Sequence, residues 1–189
     1  MTTYFDADNS STDLALSSGG KVITKASGTQ TGWRPAVSPN PKSSGKWYFE
    51  TLVVDVVSHI VVGAGVPENI REASIYNSDN ATRRTPELSG YPGSMAGSVG
   101  VYSHSSLGTL AYAGGSSYIP TGAPGFASGD VIGHAYDADS GTYDIYINGT
   151  LVQHFTSASH GVTAGYAPAA GLYDLGGSVT LRQIGRAHV

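Results

Sequence analysis

Alternation of apolar and polar residues is clearest over residues 46–56. There Trp47, Phe49, Thr51 and Val53 share one face of an extended chain, because successive side chains of a β-strand point to opposite sides. Residues 60–65 form a continuous apolar run, which is typical of a strand covered on both faces. Its glycines favour the close approach of another backbone. Similar short segments recur between turn residues, and this pattern predicts an all-β domain.

The remaining segments fit the same scheme. Residues 14–16 and 21–24 flank Ser-Ser-Gly-Gly and predict a hairpin. Residues 131–136 and 142–147 predict a second hairpin, and the Asn-Gly pair after it is typical of a tight type I′ turn. Residues 35–44 are rich in Pro, Ser and Asn and predict a loop.

The longest weakly patterned stretch covers residues 67–97. Pro67 suits the first position of a short helix that ends by residue 75. Beyond it, Asn, Ser, Arg, Pro and Gly predict a long loop, and long loops in compact domains tend to carry function.

Composition excludes several classes of function. The chain has 189 residues and no cysteine, which fits one domain and excludes disulfide scaffolds, zinc ribbons and thiol catalysis. The net charge is -4, whereas a nucleic-acid-binding protein typically carries a cluster of basic residues. No apolar stretch approaches the roughly 18 residues of a membrane span. We therefore expect a soluble protein with no nucleic-acid partner and no membrane insertion.

Six motifs in order resemble the SPRY (B30.2-like) domain. The Gly-Lys-Trp-Tyr-Phe-Glu of residues 45–50 is similar to the family's opening strand, and residues 60–65 resemble its Val-Gly-Val-Ala strand. Gly-Asp-Val-Ile-Gly at 129–133 matches directly, and residues 141–149 resemble the hairpin that ends in Asn-Gly. Residues 166–169 and 179–181 resemble the last two motifs. Tyr146, Ile184 and residues 66–97 depart from the family pattern.

This resemblance implies a bent antiparallel β-sandwich, related to the concanavalin-like jelly roll, that binds partners through loops at one end. We expect N-terminal strands or an arm at residues 1–43, the sandwich at 44–185 and a tail at 186–189. The arm could add strands to this sandwich or exchange with a neighbouring subunit.

The N-terminal residues also resemble SPRY-like proteins of tailed bacteriophages, in which the domain nearly fills a short chain. The expected function is a non-catalytic virion component, in the tail, fibre, neck or capsid surface, assembled in the host cytoplasm. It would contact other virion proteins or a host receptor, as a homo-oligomer or in a larger assembly. An intracellular adaptor that binds a short peptide and a carbohydrate-binding module stay open as alternatives.

The candidate binding residues are aromatic or basic and lie in or beside predicted loops. Tyrosine and arginine supply contact area and hydrogen-bond donors, which is why they are frequent in binding surfaces. Taken singly, each tyrosine is more often an ordinary strand residue, so the prediction rests on the set as a whole. Trp33 and Arg34 could join the set. The candidates are Arg83, Arg84, Tyr91, Tyr102, His104, Tyr112 and Tyr118.

Catalytic and metal sites find little support. The chain lacks a Gly-x-Ser-x-Gly elbow and a His-Glu-x-x-His motif, so His59 and His134 are interpreted as structural. Asp137, Asp139 and Asp144 could supply oxygen ligands to calcium. However, the glycine in this segment is one position early for an EF-hand loop, and a β-turn requires the same residue types. We expect a turn, no resident metal and no cofactor.

Overall fold

The fold is seen in a computed structural model, which describes residues 4–27, 32–57, 59–73, 90–104, 106–115 and 119–186. Two helices, α1 (Pro67–Ala73) and α2 (Ser157–His160), and a 3-10 turn (Ala7–Asn9) lie within these residues. The strands β1 to β13 are, in chain order, Leu14–Ser17, Val22–Lys25, Arg34–Val37, Lys46–Asp55, Ile60–Gly65, Ser98–His104, Gly108–Ala113, Ile119–Pro120, Val131–Asp137, Thr142–Ile147, Thr150–Thr156, Ala167–Leu172 and Ser178–Arg186.

The strands form two antiparallel sheets. One has seven strands in the order β1-β2-β13-β4-β9-β10-β11, and the other has six in the order β3-β12-β5-β6-β7-β8. The main apolar core lies between the sheets and takes residues from both of them. The predicted β-sandwich is therefore confirmed.

Alternation in β4 places its side chains as predicted. Phe49, Thr51 and Val53 are buried against the opposite sheet, whereas Val54 is 44% exposed. The β9–β10 hairpin follows the same rule, with Tyr143 and Ile145 fully buried. Asn148 after β10 has a positive φ of 49°, as the predicted type I′ turn requires.

The loop predicted over residues 35–44 is wrong at its start. Residues 35–37 belong to β3, which pairs with β12. Proline is compatible with this position because β3 is the edge strand of its sheet. The outer side of β3 is covered by the N-terminal segment, through a bridge between Ser10 and Ala36 and a hydrogen bond of 2.9 Å from Ser11 N to Pro35 O.

The N-terminal segment contributes strands to both sheets. β1 and β2 extend the seven-stranded sheet beside β13, and β3 extends the other sheet. The proposed boundary at residue 43 stays a prediction. No helix in the described part of the chain is long and apolar enough to cross a bilayer.

Candidate functional site

The outer face of the six-stranded sheet carries an apolar cluster of its own. Val61, Tyr102 and Leu110 form a buried group separate from the main core. Val61 lies opposite Tyr102, which in turn lies opposite Leu110. Directly paired residues share one face of a sheet, so these three side chains stand in a row on the side away from the core.

Aromatic rings from separate segments cover this row. We call them the aromatic patch. Three of them come from the strands β6 and β7, and the others come from connections that flank the strands. The aromatic patch consists of Trp33, His59, Tyr91, Tyr102, His104, Tyr112 and Tyr173.

Trp33 lies at the centre of the aromatic patch. Its ring centroid is 4.6 Å from that of Tyr91, 5.2 Å from Tyr173 and 6.1 Å from Tyr102. Tilted and edge-on arrangements at these distances are favourable between aromatic rings. Trp33 and Tyr91 are only partly buried. The ring system is therefore well packed and still offers surface to a ligand.

His59 and Asp174 border the aromatic patch on one side. The His59 ring stacks on Tyr102 with centroids 5.7 Å apart and meets Tyr173 at 5.1 Å. Asp174 Oδ2 accepts a hydrogen bond from His59 N and lies 3.1 Å from His59 Nδ1. This carboxylate fixes the imidazole and adds a negative charge to the border.

Tyr91 reaches the aromatic patch because glycine lies beneath the segment that carries it. A Cβ atom at position 171 would lie 2.8 Å from Cβ of Tyr91, and one at position 100 would lie 2.5 Å from the Pro92 carbonyl oxygen. Both distances are shorter than ordinary van der Waals contact. The two glycines therefore let the chain cross the sheet face closely enough for Tyr91 to meet Trp33.

We expect Gly171→Ala to disturb this arrangement. The added methyl group must displace Tyr91, and overpacking of this kind typically lowers the free energy of unfolding by about 1–3 kcal/mol. Urea denaturation measures the loss, and tryptophan fluorescence reports the change around Trp33. An unchanged stability together with an unchanged spectrum would contradict the close packing described above.

Two tyrosine hydroxyls of the aromatic patch, those of Tyr91 and Tyr102, are kept protonated at physiological pH. Burial raises the pKa of Tyr91 and that of Tyr102 above the ordinary value of 10.0, and the Asp174 charge adds to the rise at Tyr102. An exposed apolar residue extends the surface: Leu107, 54% exposed, whose backbone N donates to His104 Nδ1 at 3.2 Å. The surface thus combines rings, hydroxyl donors and apolar contacts.

Comparison with known proteins identifies the architecture. No family model and no curated protein sequence matches the chain. The PSpry domain of TRIM65 superimposes with a TM-score of 0.67 at 16% identity, over 97% of this chain and 91% of that domain. The SPRY domain of human HERC1 superimposes with a TM-score of 0.63 at 17% identity, over 94% of this chain and 96% of that domain. Stonustoxin superimposes with a TM-score of 0.66 at 16% identity, over 96% of this chain and 28% of the toxin chain.

The fold is that of the SPRY domain. Sequence identity at this level establishes the fold alone, so the resemblance stated from the motifs is confirmed as a SPRY-type sandwich. The resemblance to bacteriophage proteins stays a prediction.

The SPRY fold brings four of the predicted binding residues together. Tyr91, Tyr102, His104 and Tyr112 all belong to the aromatic patch. Arg83, Arg84 and Tyr118 lie outside the described residues. Whether any of these residues binds a partner stays a prediction.

Trp33 and Arg34, suggested together, separate in the structure. Trp33 joins the aromatic patch, whereas the Arg34 side chain turns inward, is only 2% exposed and pairs with Asp13. Sequence reasoning missed His59 and Tyr173 as members of the aromatic patch. His59 directly precedes the apolar run at residues 60–65, and Tyr173 follows the motif at residues 166–169, so position beside these segments is the one signal that could have selected them.

The three aspartates proposed as calcium ligands, Asp137, Asp139 and Asp144, each contact a different partner in the structure. Asp137 Oδ1 accepts hydrogen bonds from the backbone of Asp139 and Ser140 at 3.0 and 3.1 Å, and such bonds hold the pKa of Asp137 below its usual value. Asp139 Oδ1 accepts from Gly45 N at 2.9 Å, and Asp144 pairs with His154 on the outer sheet face. Within the described ranges, no three ligand side chains converge on a possible ion position.

One small cavity is lined by residues of both sheets. A cavity of about 10 Å³ lies between the sheets, next to Phe49, Tyr143 and Tyr166. That volume is comparable to the space one water molecule requires. His134 nearby is fully buried in β9, with Nδ1 3.1 Å from the Tyr143 hydroxyl. Its position fits a structural histidine of the sheet.

Proposed function

We propose that this SPRY-type domain binds another protein through the aromatic patch and performs no catalysis. The observation that carries the proposal is the convergence of seven aromatic side chains from separate segments on one solvent-facing sheet surface. Tryptophan and tyrosine dominate the residues that contribute most to protein–protein affinity. A sandwich core rigidly supports the rings, so little conformational entropy is lost when a partner binds.

The surface chemistry favours a short, extended partner segment with apolar side chains. Trp33, Tyr91 and Tyr173 offer ring surface, and Leu107 adds apolar area at the border. Tyrosine hydroxyls can donate hydrogen bonds to the partner's backbone carbonyls. Recognition would rest on shape and hydrogen-bond complementarity, with no cofactor.

Panning a random peptide library against the domain tests this proposal. We expect selected peptides to bind the wild type, and we expect Trp33→Ala to weaken binding by about 30-fold or more, since loss of a central aromatic anchor costs at least ~2 kcal/mol. Fluorescence anisotropy with labelled peptide gives the Kd.

Tyr146→Ala is the matched control, because Tyr146 is a part-buried tyrosine on the outer face of the other sheet. It should bind the selected peptides as the wild type does. Peptides that bind Trp33→Ala and the wild type equally would contradict the proposal. Specific glycan binding on an array without any peptide binding would favour the carbohydrate-binding alternative instead.

For the biological setting we propose a bacteriophage virion, in which the partner is another virion protein or a host-surface receptor. The support is the resemblance of the N-terminal residues to SPRY-like phage proteins. Mass spectrometry of purified particles should then detect the protein, and light scattering should show a homo-oligomer or its incorporation into a larger assembly. A protein absent from particles but recovered with a cytosolic partner would favour the adaptor alternative.

A further inference from the structure

Lys25 is a buried cation whose ammonium group bonds to backbone carbonyls. It ends β2 in the seven-stranded sheet and is only 1% exposed. Its Nζ donates a hydrogen bond of 2.8 Å to Gly32 O and a second one to Tyr173 O. Both acceptors are neutral backbone carbonyls, and the charges of Asp13 and Asp174 also favour the ammonium form.

These two carbonyls adjoin the aromatic patch. Gly32 directly precedes Trp33, and Tyr173 is itself a member whose ring centroid is 5.2 Å from that of Trp33. Both segments flank strands of the six-stranded sheet, β3 and β12, whereas Lys25 belongs to the other sheet. The side chain therefore crosses the sandwich and ties together the backbones that carry two contacting rings.

The backbone of Lys25 also forms hydrogen bonds with the segment that follows Tyr173. Lys25 N donates to Gly177 O at 3.0 Å, and Gly176 N donates to Lys25 O at 2.9 Å. The segment from Tyr173 to Gly177 is therefore bound to Lys25 at three points: the Tyr173 carbonyl, the Gly176 N–H and the Gly177 carbonyl. Lys25 is anchored and acts as a fixed point for the two segments.

Burying an ammonium group is unfavourable, and an apolar residue of similar length would avoid that cost. The same burial, with the nearby Arg34 charge, lowers the pKa of Lys25. Arg34 has a parallel contact, because its Nη1 donates to Trp33 O at 3.0 Å. Two successive carbonyls, those of Gly32 and Trp33, are therefore fixed by buried cations.

We propose that Lys25 is a positioning residue for the aromatic patch: its ammonium group sets the relative placement of Trp33 and Tyr173 and thereby controls partner affinity without touching the partner. The link to affinity rests on the proposed function. The link to ring placement does not, and it can be measured on the free domain.

The test uses Lys25→Met, which keeps the apolar stem and removes the ammonium group. The chain has two tryptophans, so a Trp47→Phe background leaves Trp33 as the only tryptophan, and excitation at a wavelength that tyrosine does not absorb selects its emission. In that background we expect Lys25→Met to remain folded by circular dichroism. We expect the acrylamide quenching constant of Trp33 to rise about twofold, and its emission to shift to the red, as a released ring gains exposure to water. Affinity for a selected peptide should fall about tenfold.

Lys46→Met is the matched control, since Lys46 is an exposed lysine on β4 with 52% of its side chain accessible. It should change neither the quenching nor the affinity. Should Lys25→Met fail to fold, Lys25→Arg keeps the charge and is expected to alter Trp33 quenching in the folded protein. Unchanged Trp33 quenching in a folded Lys25 variant overturns the inference. If Trp33 quenching rises but the wild type binds no peptide, the proposed function fails and the positioning role stands.

Discussion

Asp13→Ala is expected to lower the free energy of unfolding by about 3–5 kcal/mol, because it leaves a buried guanidinium group without its carboxylate. Arg34 is 2% exposed and Asp13 is 9% exposed, and Arg34 Nε donates to Asp13 Oδ2. The pair joins the chain before β1 to the first residue of β3. Its loss should therefore loosen the attachment of the N-terminal segment to both sheets. Urea denaturation at pH 7 measures the effect.

The double variant Asp13→Ala/Arg34→Met tests the cause. Removing the guanidinium group together with the Asp13 carboxylate should recover part of the loss, since replacing a buried ion pair with apolar residues is often nearly neutral. Lys46→Ala is the control: its pair with Asp137 is long, at 3.9 Å, and exposed, so we expect a change of at most about 1 kcal/mol. The explanation would be contradicted if the double variant lost as much unfolding free energy as Asp13→Ala and Arg34→Met lose together when each is measured alone.

Acid is expected to destabilise the domain through His134. Burial lowers the pKa of His134 from 6.5 to about 3. Between these two pH values, the unfolded chain therefore binds a proton at His134 and the folded protein does not. The stabilisation from this group is complete above pH 6.5 and is lost as the pH falls toward 3. Between pH 6.5 and 4 the loss should be about 3 kcal/mol, from ~1.4 kcal/mol per pH unit. Urea denaturation at a series of pH values measures it.

His134→Gln removes this titration and keeps a polar group beside the Tyr143 hydroxyl. The variant should be less stable at pH 7, because His134 stacks on Phe49 with centroids 4.3 Å apart, but its stability should depend less on pH below 6.5. His154→Gln is the control, since that histidine lies on the exposed sheet face. A His134→Gln variant that loses as much stability in acid as the wild type would show that the acid sensitivity has another source.

Local patterns predicted the parts of the fold that depend on local rules. Alternation in β4 and the Asn-Gly turn after β10 are consequences of strand geometry and backbone conformation, so the sequence was sufficient to predict them. β3 was missed because Pro35 is normally evidence against a strand, and only its position at a sheet edge makes it compatible. β11 was missed because an exposed edge strand with a β-bulge has no regular alternation.

The candidate site was predictable only in part. Tyr91, Tyr102 and Tyr112 could be selected as aromatic residues near loops, but their meeting with Trp33 depends on strand register between distant segments. Trp33 and Arg34 illustrate the difficulty, because neighbours in an extended chain point to opposite sides. The structure places one in the aromatic patch and the other in a buried ion pair. The role inferred for Lys25 follows from tertiary contacts that no sequence pattern indicates.

Hydrogen–deuterium exchange of the domain with and without a selected peptide tests the central claim most directly. If the aromatic patch is the binding surface, the peptide should slow exchange in the segments that carry it, at residues 33–34, 59–61, 90–93, 102–104, 112–113 and 173–174. Residues 46–54 and 142–147 of the opposite sheet should exchange at unchanged rates. Protection confined to the seven-stranded sheet, with none around Trp33, would contradict the account.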